Sequence, residues 1–269
     1  MRIVRLHLTK EMKIKNISTA PGHWILARMG KRVLRPGGKE LTLKLVNLLA
    51  ISPADDIVEF APGLGFTAQL ALQHDPNSYI GIDADEDAVQ YLSRKINGKN
   101  RSIVLGNASQ SSLPAGSKDK VFGEAMLTMH ADHRKTEIIK EAYRILKPGG
   151  YYAIHELGLT PDAICKELKD KIQRELAMNI KVNARPLTQS EWVSILEKEG
   201  FRIRALEINP MHLLEPYRIV DDEGFLNAIK IGANILCNSK ARVRILQMRR
   251  TFKKYQKHIN AIVVMAEKV

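Results

Sequence analysis

Short apolar segments alternate with amphipathic segments along most of the chain. The apolar segments have the length of buried strands and predict seven of them, at 57–60, 79–82, 102–105, within 121–127, and at 151–155, 201–208 and 260–266. Between these segments, apolar residues recur every three or four positions and predict helices at 39–50, 66–74, 85–96 and 134–146. This alternation indicates an α/β fold with a doubly wound, mostly parallel, seven-stranded sheet and helices on both faces.

The regular alternation is interrupted after the fifth predicted strand. Residues 163–178 predict an inserted amphipathic helix, and Thr188 and Glu191 form a capping-box pattern at the start of another helix. The stretch between the sixth and seventh strands has a mostly helical pattern and is long enough to form a lid. We therefore expect a basic N-terminal segment at 1–38, a main domain at 39–210 and 259–269, and a helical insertion that acts as a substrate cap at 211–258.

The composition is that of a chain with an ample hydrophobic core, because 45% of its residues are hydrophobic and 26% are charged. No apolar run reaches the roughly 20 residues that a membrane span needs. The N-terminus lacks the continuous apolar segment of a secretory signal, so we expect a cytoplasmic location without a transmembrane segment. Cys165 and Cys237 are far apart in the sequence and fit neither a metal-binding spacing nor a disulfide framework.

The net charge of +13 is concentrated at the two ends of the chain. Residues 1–50 contain 11 Lys and Arg against 2 acidic residues, and residues 239–269 contain 9 against 1, whereas residues 51–238 contain 22 against 26. Such a distribution is typical of a solvated basic surface, or of contact with nucleic acid, an anionic membrane or an acidic substrate. The sequence leaves these alternatives open.

A glycine-bearing loop after the first predicted strand gives the strongest chemical signal, and it reads Glu59-Phe60-Ala61-Pro62-Gly63-Leu64-Gly65. Small residues at 61, 63 and 65 allow a tight turn and a close approach of the backbone to a ligand. The second strand ends in Asp83, whose carboxylate can accept hydrogen bonds from ribose hydroxyls. The dinucleotide fingerprint is not matched, because Ala68 stands where its third glycine belongs.

This loop resembles the first motif of class I (Rossmann-like) S-adenosylmethionine (SAM)-dependent methyltransferases, with Ala61 in place of that motif's first glycine. Gly106-Asn107-Ala108 with Leu113-Pro114 is similar to the family's Gly-Asp-Ala and Leu-Pro after the third strand. The run from Glu141 to Gly150, with Arg144 and Leu146-Lys147-Pro148-Gly149-Gly150, is very close to the family's pattern before the fifth strand. The overall resemblance is greatest to the small-molecule, methyltransferase type 11-like branch.

The resemblance implies SAM as the cofactor, with S-adenosylhomocysteine as its product, and it implies a set of cofactor-binding residues. Asp83 would hold the ribose, with Asp85 as the competing carboxylate for this task or for capping the next helix. Asn107 and Ala108 would meet the adenine. The remaining residues that the resemblance places at the cofactor are Glu59, Ala61, Pro62, Gly63, Gly65, Ala84 and Glu124.

Methyl transfer from a sulfonium needs mainly alignment of the nucleophile and exclusion of water, so no fixed catalytic motif is expected. His155, after the fifth strand, and His130, after the fourth, are the candidates for a general base, and each is equally interpretable as an oriented polar wall. His133 and Glu156 lie nearby in the sequence, but nothing in the spacing requires a metal, and none is expected.

The sequence favours a SAM-dependent methyltransferase acting on a small molecule that is anionic or partly hydrophobic. The alternative is a nucleic-acid (RNA) methyltransferase using the basic flanks, although the proline-aromatic motif that stacks a flipped base is replaced here by residues 124–127. A third interpretation is a non-enzymatic SAM-binding protein.

The basic segment at 240–257 has three interpretations: a solvated surface, a guide for an anionic acceptor, or a peripheral membrane contact. We expect both basic flanks to converge around the mouth of one cleft, above Gly63 and His155.

Overall fold

The computed structural model describes residues 16–269, which form an eight-stranded sheet with strand order β3-β2-β1-β4-β5-β8-β7 and the short β6 paired to β5. All pairs are parallel except those of β8, which runs antiparallel to both β5 and β7. The strands are β1 (Asp56–Phe60), β2 (Ser78–Asp83), β3 (Arg101–Leu105), β4 (Lys118–Glu124), β5 (Leu146–Leu159), β6 (Leu187–Thr188), β7 (Phe201–Pro210) and β8 (Ile259–Lys268).

The helices alternate with these strands and then accumulate before β8. They are α1 (Gly22–Met29), α2 (Gly38–Leu49), α3 (Phe66–Leu72), α4 (Glu86–Ser93), α5 (Asp132–Ile145), α6 (Lys166–Ile180), α7 (Gln189–Glu197), α8 (Pro216–Glu223), α9 (Phe225–Cys237) and α10 (Ser239–Lys254). A 3-10 turn, Leu127–Met129, lies between β4 and α5. Thr188 and Glu191 form the predicted capping box at the start of α7.

Helices cover both faces of the sheet because successive strand residues point to opposite sides. In β1, Ile57 packs with α2, α3 and α4, whereas its neighbour Val58 packs with α5 and α7. The same alternation recurs in β5, where Ala153 and Ile154 enter opposite cores. The predicted α/β class and doubly wound sheet are therefore confirmed, with β6 as one strand more than the seven predicted.

The fourth predicted strand ends earlier than its apolar pattern suggests. Ala125 has a positive φ of 52° that turns the chain out of the sheet. The buried carboxylate of Glu156 then accepts hydrogen bonds from the backbone N–H groups of Met126, Leu127 and Thr128 at 2.8–3.0 Å. Met126 and Leu127 are thus apolar because they are buried in a turn, and this turn is held against the carboxyl end of the sheet.

A third hydrophobic core lies among α1, α6, α9 and α10, where it also includes Leu157 and Leu159 at the end of β5 and Ile259 at the start of β8. Arg244 of α10 joins these helices, because its guanidinium donates to the carbonyl oxygens of Ile17, Ser18, Ala20 and Asn179 at 2.6–3.3 Å. The sequence pattern predicted no element in the segment that forms α1. This helix has only eight residues and depends on packing against the other helices for its burial, so its sequence pattern alone is a weak signal. Within residues 16–269, no helix is long and apolar enough to cross a membrane.

Candidate functional site

The loop between β1 and α3 contains two glycines that have different structural roles. Gly63 and Gly65 both have positive φ, at 58° and 76°. A Cβ atom added at Gly65 would collide with Cδ1 of Leu92 in α4, whereas one added at Gly63 would have no atom within 4 Å. Gly65 is therefore required for packing between the loop and α4, and Gly63 leaves space that opens beside the loop.

That space is part of a cavity of about 550 Å³ at the carboxyl ends of β1, β2 and β4. In a doubly wound sheet this is the edge where ligands bind. The sequence-derived candidates that line it are Ala61, Gly63, Asp83, Ala84, Asn107, Ala108, Glu124 and His130. The candidates Glu59, Pro62, Gly65 and His155 are not among its lining residues.

Asp83 is held in place by the loop that it faces. Its Oδ2 atom accepts a hydrogen bond from Gly63 N at 2.9 Å, and its Oδ1 atom accepts one from Asp85 N at 3.0 Å. Burial raises the pKa of Asp83, against the effect of these two backbone donors. The side chain of Asp85 instead accepts from Ala88 N at 3.0 Å and caps α4. Both residues line the cavity, but the structure assigns capping to Asp85 and leaves Asp83 as the carboxylate that is fixed by the loop.

Asn107 lines the cavity, but its amide oxygen has local partners. The Oδ1 atom accepts from Ser109 N at 3.0 Å and from Ser109 Oγ at 3.1 Å. A carbonyl oxygen has two lone pairs, so this atom has no remaining acceptor site for an adenine amino group. The proposed contact of its amide oxygen with adenine is thus not favoured by this geometry.

Glu59 lies beneath the loop, outside the cavity. It is 1% exposed, and its Oε2 atom accepts a hydrogen bond from Tyr79 Oη at 2.7 Å. Burial raises its pKa to about 8, which keeps the carboxyl group protonated at neutral pH. Pro62 is also turned away and packs against the backbone of Gly81. These two residues support the loop and do not reach the cavity.

Glu124, at the end of β4, accepts hydrogen bonds from several elements. Thr42 Oγ1 donates to it at 2.8 Å, Arg35 Nε donates at 3.3 Å, and Thr67 also donates. His155 Nδ1 lies 2.6 Å from its Oε1 atom. Burial opposes ionisation, but the His155 contacts, the Arg35 charge and the Thr67 hydrogen bond together hold the pKa of Glu124 at about 2.

His155 is fully buried, and both of its ring nitrogens have acceptor partners. Nδ1 faces the Glu124 carboxylate, and Nε2 lies 2.6 Å from the carbonyl oxygen of Pro36. A ring that donates from both nitrogens has no lone pair with which to take a proton. This position, enclosed between Glu124 and Pro36 and outside the cavity lining, does not favour a general-base role for His155.

His130 is half-exposed and lines the cavity. Burial, followed by the charge of Arg134, lowers its pKa, so its imidazole is neutral at neutral pH.

Four residues of the cavity wall come from the segment before the first predicted helix, namely His23, Trp24, Leu34 and Arg35. Burial, with a further effect of the Arg35 charge, lowers the pKa of His23 to about 4. Its Nδ1 atom is buried and has no hydrogen-bond partner among the described residues. Sequence reasoning missed these residues, and the adjacent His23-Trp24 pair was the only local signal that could have marked them.

A second, apolar pocket of about 80 Å³ adjoins the first cavity. Four residues line both, namely His23, Leu34, Ala125 and Met129. The rest of its wall is almost entirely hydrocarbon and includes Leu26, Leu157, Ala184, Met211, Leu213, Met248 and Phe252. The helical insertion therefore contributes apolar side chains to a pocket that shares a boundary with the larger cavity.

Parts of the chain are similar in sequence to proteins that are named as methyltransferases. Residues 58–154 match the model of a family described as a methyltransferase domain. An uncharacterized protein of Haemophilus influenzae is 32% identical over 92% of this chain and 98% of that protein. The uncharacterized methyltransferase YdaC of Bacillus subtilis is 34% identical over 40% of this chain and 60% of its own length.

A solved structure has the same fold over nearly the whole chain. Phosphoethanolamine N-methyltransferase 2 of Haemonchus contortus, in complex with SAM, superposes with a TM-score of 0.67 at 17% identity, over 96% of this chain and 58% of that one. Residues 58–154 of this chain belong to a methyltransferase-domain family, and the chain has the fold of a SAM-dependent methyltransferase.

The cavity of this methyltransferase has the features that SAM requires. Gly63 offers space at a backbone N–H-rich turn, and the carboxylate of Asp83 lies at the end of β2, next to that turn. The volume of about 550 Å³ is within the range of small-molecule sites. When bound, SAM supplies a methyl group on a positively charged sulfur.

The sequence predicted that both basic flanks of the methyltransferase converge around the mouth of one cleft. The described residues have a different arrangement. Met248 and Phe252 of α10 line the apolar pocket, but no Lys or Arg of 240–257 lines either cavity. Arg249 instead pairs with Glu215 at 2.9 Å, and Lys254 pairs with Glu175 at 2.7 Å. From the N-terminal flank, Arg35 reaches the cavity, and the part of that flank at 1–15 lies outside the described residues.

Proposed function

We propose that this methyltransferase acts on a small-molecule acceptor with an apolar body, bound in the pocket between α1, the β4–α5 turn and α10. The observation that supports this most directly is the shared boundary of the two cavities, at His23, Leu34, Ala125 and Met129. An acceptor in the apolar pocket would present its reactive atom toward the cofactor cavity. Alignment of this kind is the main contribution that an enzyme makes to methyl transfer.

In this proposal the loop at Gly63 and the carboxylate of Asp83 bind the cofactor, with Ala84 and Ala108 along the wall. The apolar side chains from the insertion exclude water from the acceptor pocket. A nucleic-acid acceptor is less well supported, because the adjoining pocket has no cationic side chain to meet phosphates. The acceptor class is thus proposed from the chemistry of the pocket wall.

The pocket can be tested by filling it. Ala184 is 2% exposed and lines the pocket, so Ala184→Leu should raise the acceptor KM by roughly tenfold or more while the Kd for SAM stays unchanged. Turnover is measured as S-adenosylhomocysteine release with a panel of apolar carboxylic acids, phenols, amines and thiols. The matched control is Ala163→Leu at an exposed position. An unchanged acceptor KM in Ala184→Leu, or turnover only with oligonucleotides, would contradict the proposal.

His23 is the side chain that we propose to receive a proton from the acceptor. It lines both cavities, and its lowered pKa keeps the ring neutral at neutral pH. Replacement by Phe keeps a ring but removes the nitrogen, so kcat should fall by about 10²–10⁴-fold with little change in SAM affinity, which is the usual contribution of a general base. His130→Phe is the parallel variant, and a larger loss of kcat there would transfer the role to His130.

A further inference from the structure

The helix α9 exposes an apolar face that no described residue covers. Leu226 is 82% exposed, Ile229 56% and Leu236 68%, and Ala233 is also exposed on the same stripe of the helix. Their spacing of three and four residues aligns them along one side. Phe225, at the first position of α9, adds a 67% exposed ring. Apolar side chains at this density mark an interaction site more often than an ordinary surface.

The side of α9 opposite to the exposed apolar stripe is bound to the rest of the protein, and this fixes the stripe toward the outside. Ile231 is buried against the core of the inserted helices. Asn234 Nδ2 donates to the carbonyl oxygen of Met29 at 2.9 Å, and Asn227 Nδ2 donates to Glu223 Oε2 at 3.0 Å. The helix is held to the end of α1 along this side, which turns Leu226, Ile229 and Leu236 outward.

The next helix extends the same kind of surface. Val243 and Leu246 of α10 are 54% and 44% exposed, while its opposite side, with Met248, lines the apolar pocket. Arg242 Nη1 donates to the carbonyl oxygen of Leu236 at 3.0 Å and so lies at the carboxyl end of α9. We define the outer surface of the insertion as Phe225, Leu226, Ile229, Leu236, Val243 and Leu246.

The segment that carries this outer surface has charges of one sign. Residues 224–266 contain nine Lys and Arg and no Asp or Glu. Arg244, Arg249, Lys253 and Lys254 are engaged with carbonyl oxygens or acidic residues elsewhere. Four basic residues remain for an external partner, namely Lys230, Lys240, Arg250 and Lys257, and all four are exposed. Arg242 is also exposed, with one of its nitrogens bound to the Leu236 carbonyl oxygen.

We propose that the outer surface of the insertion docks on an anionic lipid bilayer. Exposed aliphatic side chains with Lys and Arg beside them are the composition of a helix that lies in the membrane interface, where the apolar groups enter the acyl boundary and the cations meet lipid phosphates. A nucleic acid would satisfy the cations but would leave Leu226, Ile229 and Leu236 without an apolar partner. A second copy would bring two basic surfaces together, and their like charges oppose that contact.

The proposal goes beyond the proposed reaction, because docking is measured without any acceptor. The full chain is sedimented with vesicles of phosphatidylcholine alone and of phosphatidylcholine with phosphatidylglycerol. We expect about tenfold or greater enrichment on the anionic vesicles at low salt, and weaker binding as salt screens the basic residues.

Two pairs of variants separate the apolar from the charged contribution. Leu226→Asp with Ile229→Asp should reduce binding to anionic vesicles by about tenfold or more. Val104→Asp with Leu105→Asp makes the same change in net charge at 43% and 55% exposed positions of the edge strand β3, and should not reduce it. Lys240→Glu with Arg250→Glu should have a similar effect, whereas Lys99→Glu with Lys140→Glu makes the same change in net charge elsewhere and should have a much smaller one. Retained SAM binding by calorimetry shows that each variant is folded.

Three results would overturn the proposal. The first is absence of binding to either kind of vesicle. The second is equal loss of binding in the test and control variants, which would make the effect one of net charge alone. The third is a different partner: a dimer in light scattering that Leu226→Asp dissociates, or tighter binding to a labelled single-stranded RNA than to the vesicles.

Discussion

The Nδ1 atom of His155 lies 2.6 Å from Oε1 of Glu124, and both side chains are completely buried. Since Nε2 of the same ring lies 2.6 Å from the carbonyl oxygen of Pro36, both nitrogens face acceptors. The pair therefore links β4, β5 and the segment before α2. The sequence marked His155 as a candidate base, and the structure places it behind Glu124, which lines the cavity.

His155→Gln should reduce stability more than catalysis. Removal of the ring takes one buried partner from the Glu124 carboxylate, which keeps Arg35, Thr42 and Thr67, and the expected loss is about 1–3 kcal/mol in the free energy of unfolding. Urea unfolding followed by circular dichroism measures it. In the double variant with Glu124→Gln, the loss should be smaller than the sum of the two single losses. A hundredfold drop in kcat at unchanged stability would instead restore His155 as a catalytic residue.

Gly63→Val should weaken cofactor binding without a special loss of stability. The added side chain meets no protein atom but enters the cavity, so the Kd for SAM should rise by roughly tenfold or more. Gly116→Val is the matched control, because Gly116 has a φ of 61° and equally open space. Both variants carry the same backbone strain. Calorimetry that shows unchanged SAM affinity in a folded Gly63→Val variant would remove the cofactor assignment of this loop.

Asp83→Ala and Asp85→Ala should affect different properties. Loss of the Asp83 carboxylate removes a charged acceptor at the cavity, with an expected cost of roughly 1.5–3 kcal/mol in SAM binding. Loss of the Asp85 cap should reduce the stability of the chain by about 0.5–2 kcal/mol, with a smaller effect on SAM affinity. Calorimetry and thermal unfolding of both variants test this division. A larger SAM-binding defect in Asp85→Ala would show that the two roles are exchanged.

Glu59 should make stability depend on pH in the neutral range. Its pKa is raised to about 8, so between its unfolded pKa, near 4.5, and 8 the folded state holds a proton that the unfolded state releases. Its contribution is therefore fully present below pH 4.5 and declines by up to about 1.4 kcal/mol per pH unit as the pH rises to 8.

Glu59→Gln keeps a neutral side chain at every pH and should remove this decline. The test is urea unfolding of both proteins at several pH values from 5 to 8, without SAM. The difference in unfolding free energy between wild type and variant should shift in favour of the variant as the pH rises. Parallel profiles for the two proteins would show that Glu59 does not titrate in this range.

The sheet and its cofactor loop were predictable because their signals are local. Each strand of a doubly wound sheet is a short buried segment, and the residues from Glu59 to Gly65 follow one such strand directly. The capping box at Thr188 was predictable for the same reason, since its two residues are three positions apart. Ala125 illustrates the limit, because its apolar neighbours are buried in a turn held by Glu156 and not in a strand.

The sequence by itself determined the fold class and marked the glycine-bearing loop, because these depend on the order and spacing of residues within single elements. The resemblance of that loop to a family motif implied the cofactor. Only the tertiary structure decided which polar residues face the cavity. His155 and Glu124 are 31 positions apart in the sequence. His23 and Met248 line the same pocket although they lie near opposite ends of the chain. A lone pair is free for chemistry unless a hydrogen-bond partner occupies it. Such partners are distant in the sequence here, and only packing brings them together.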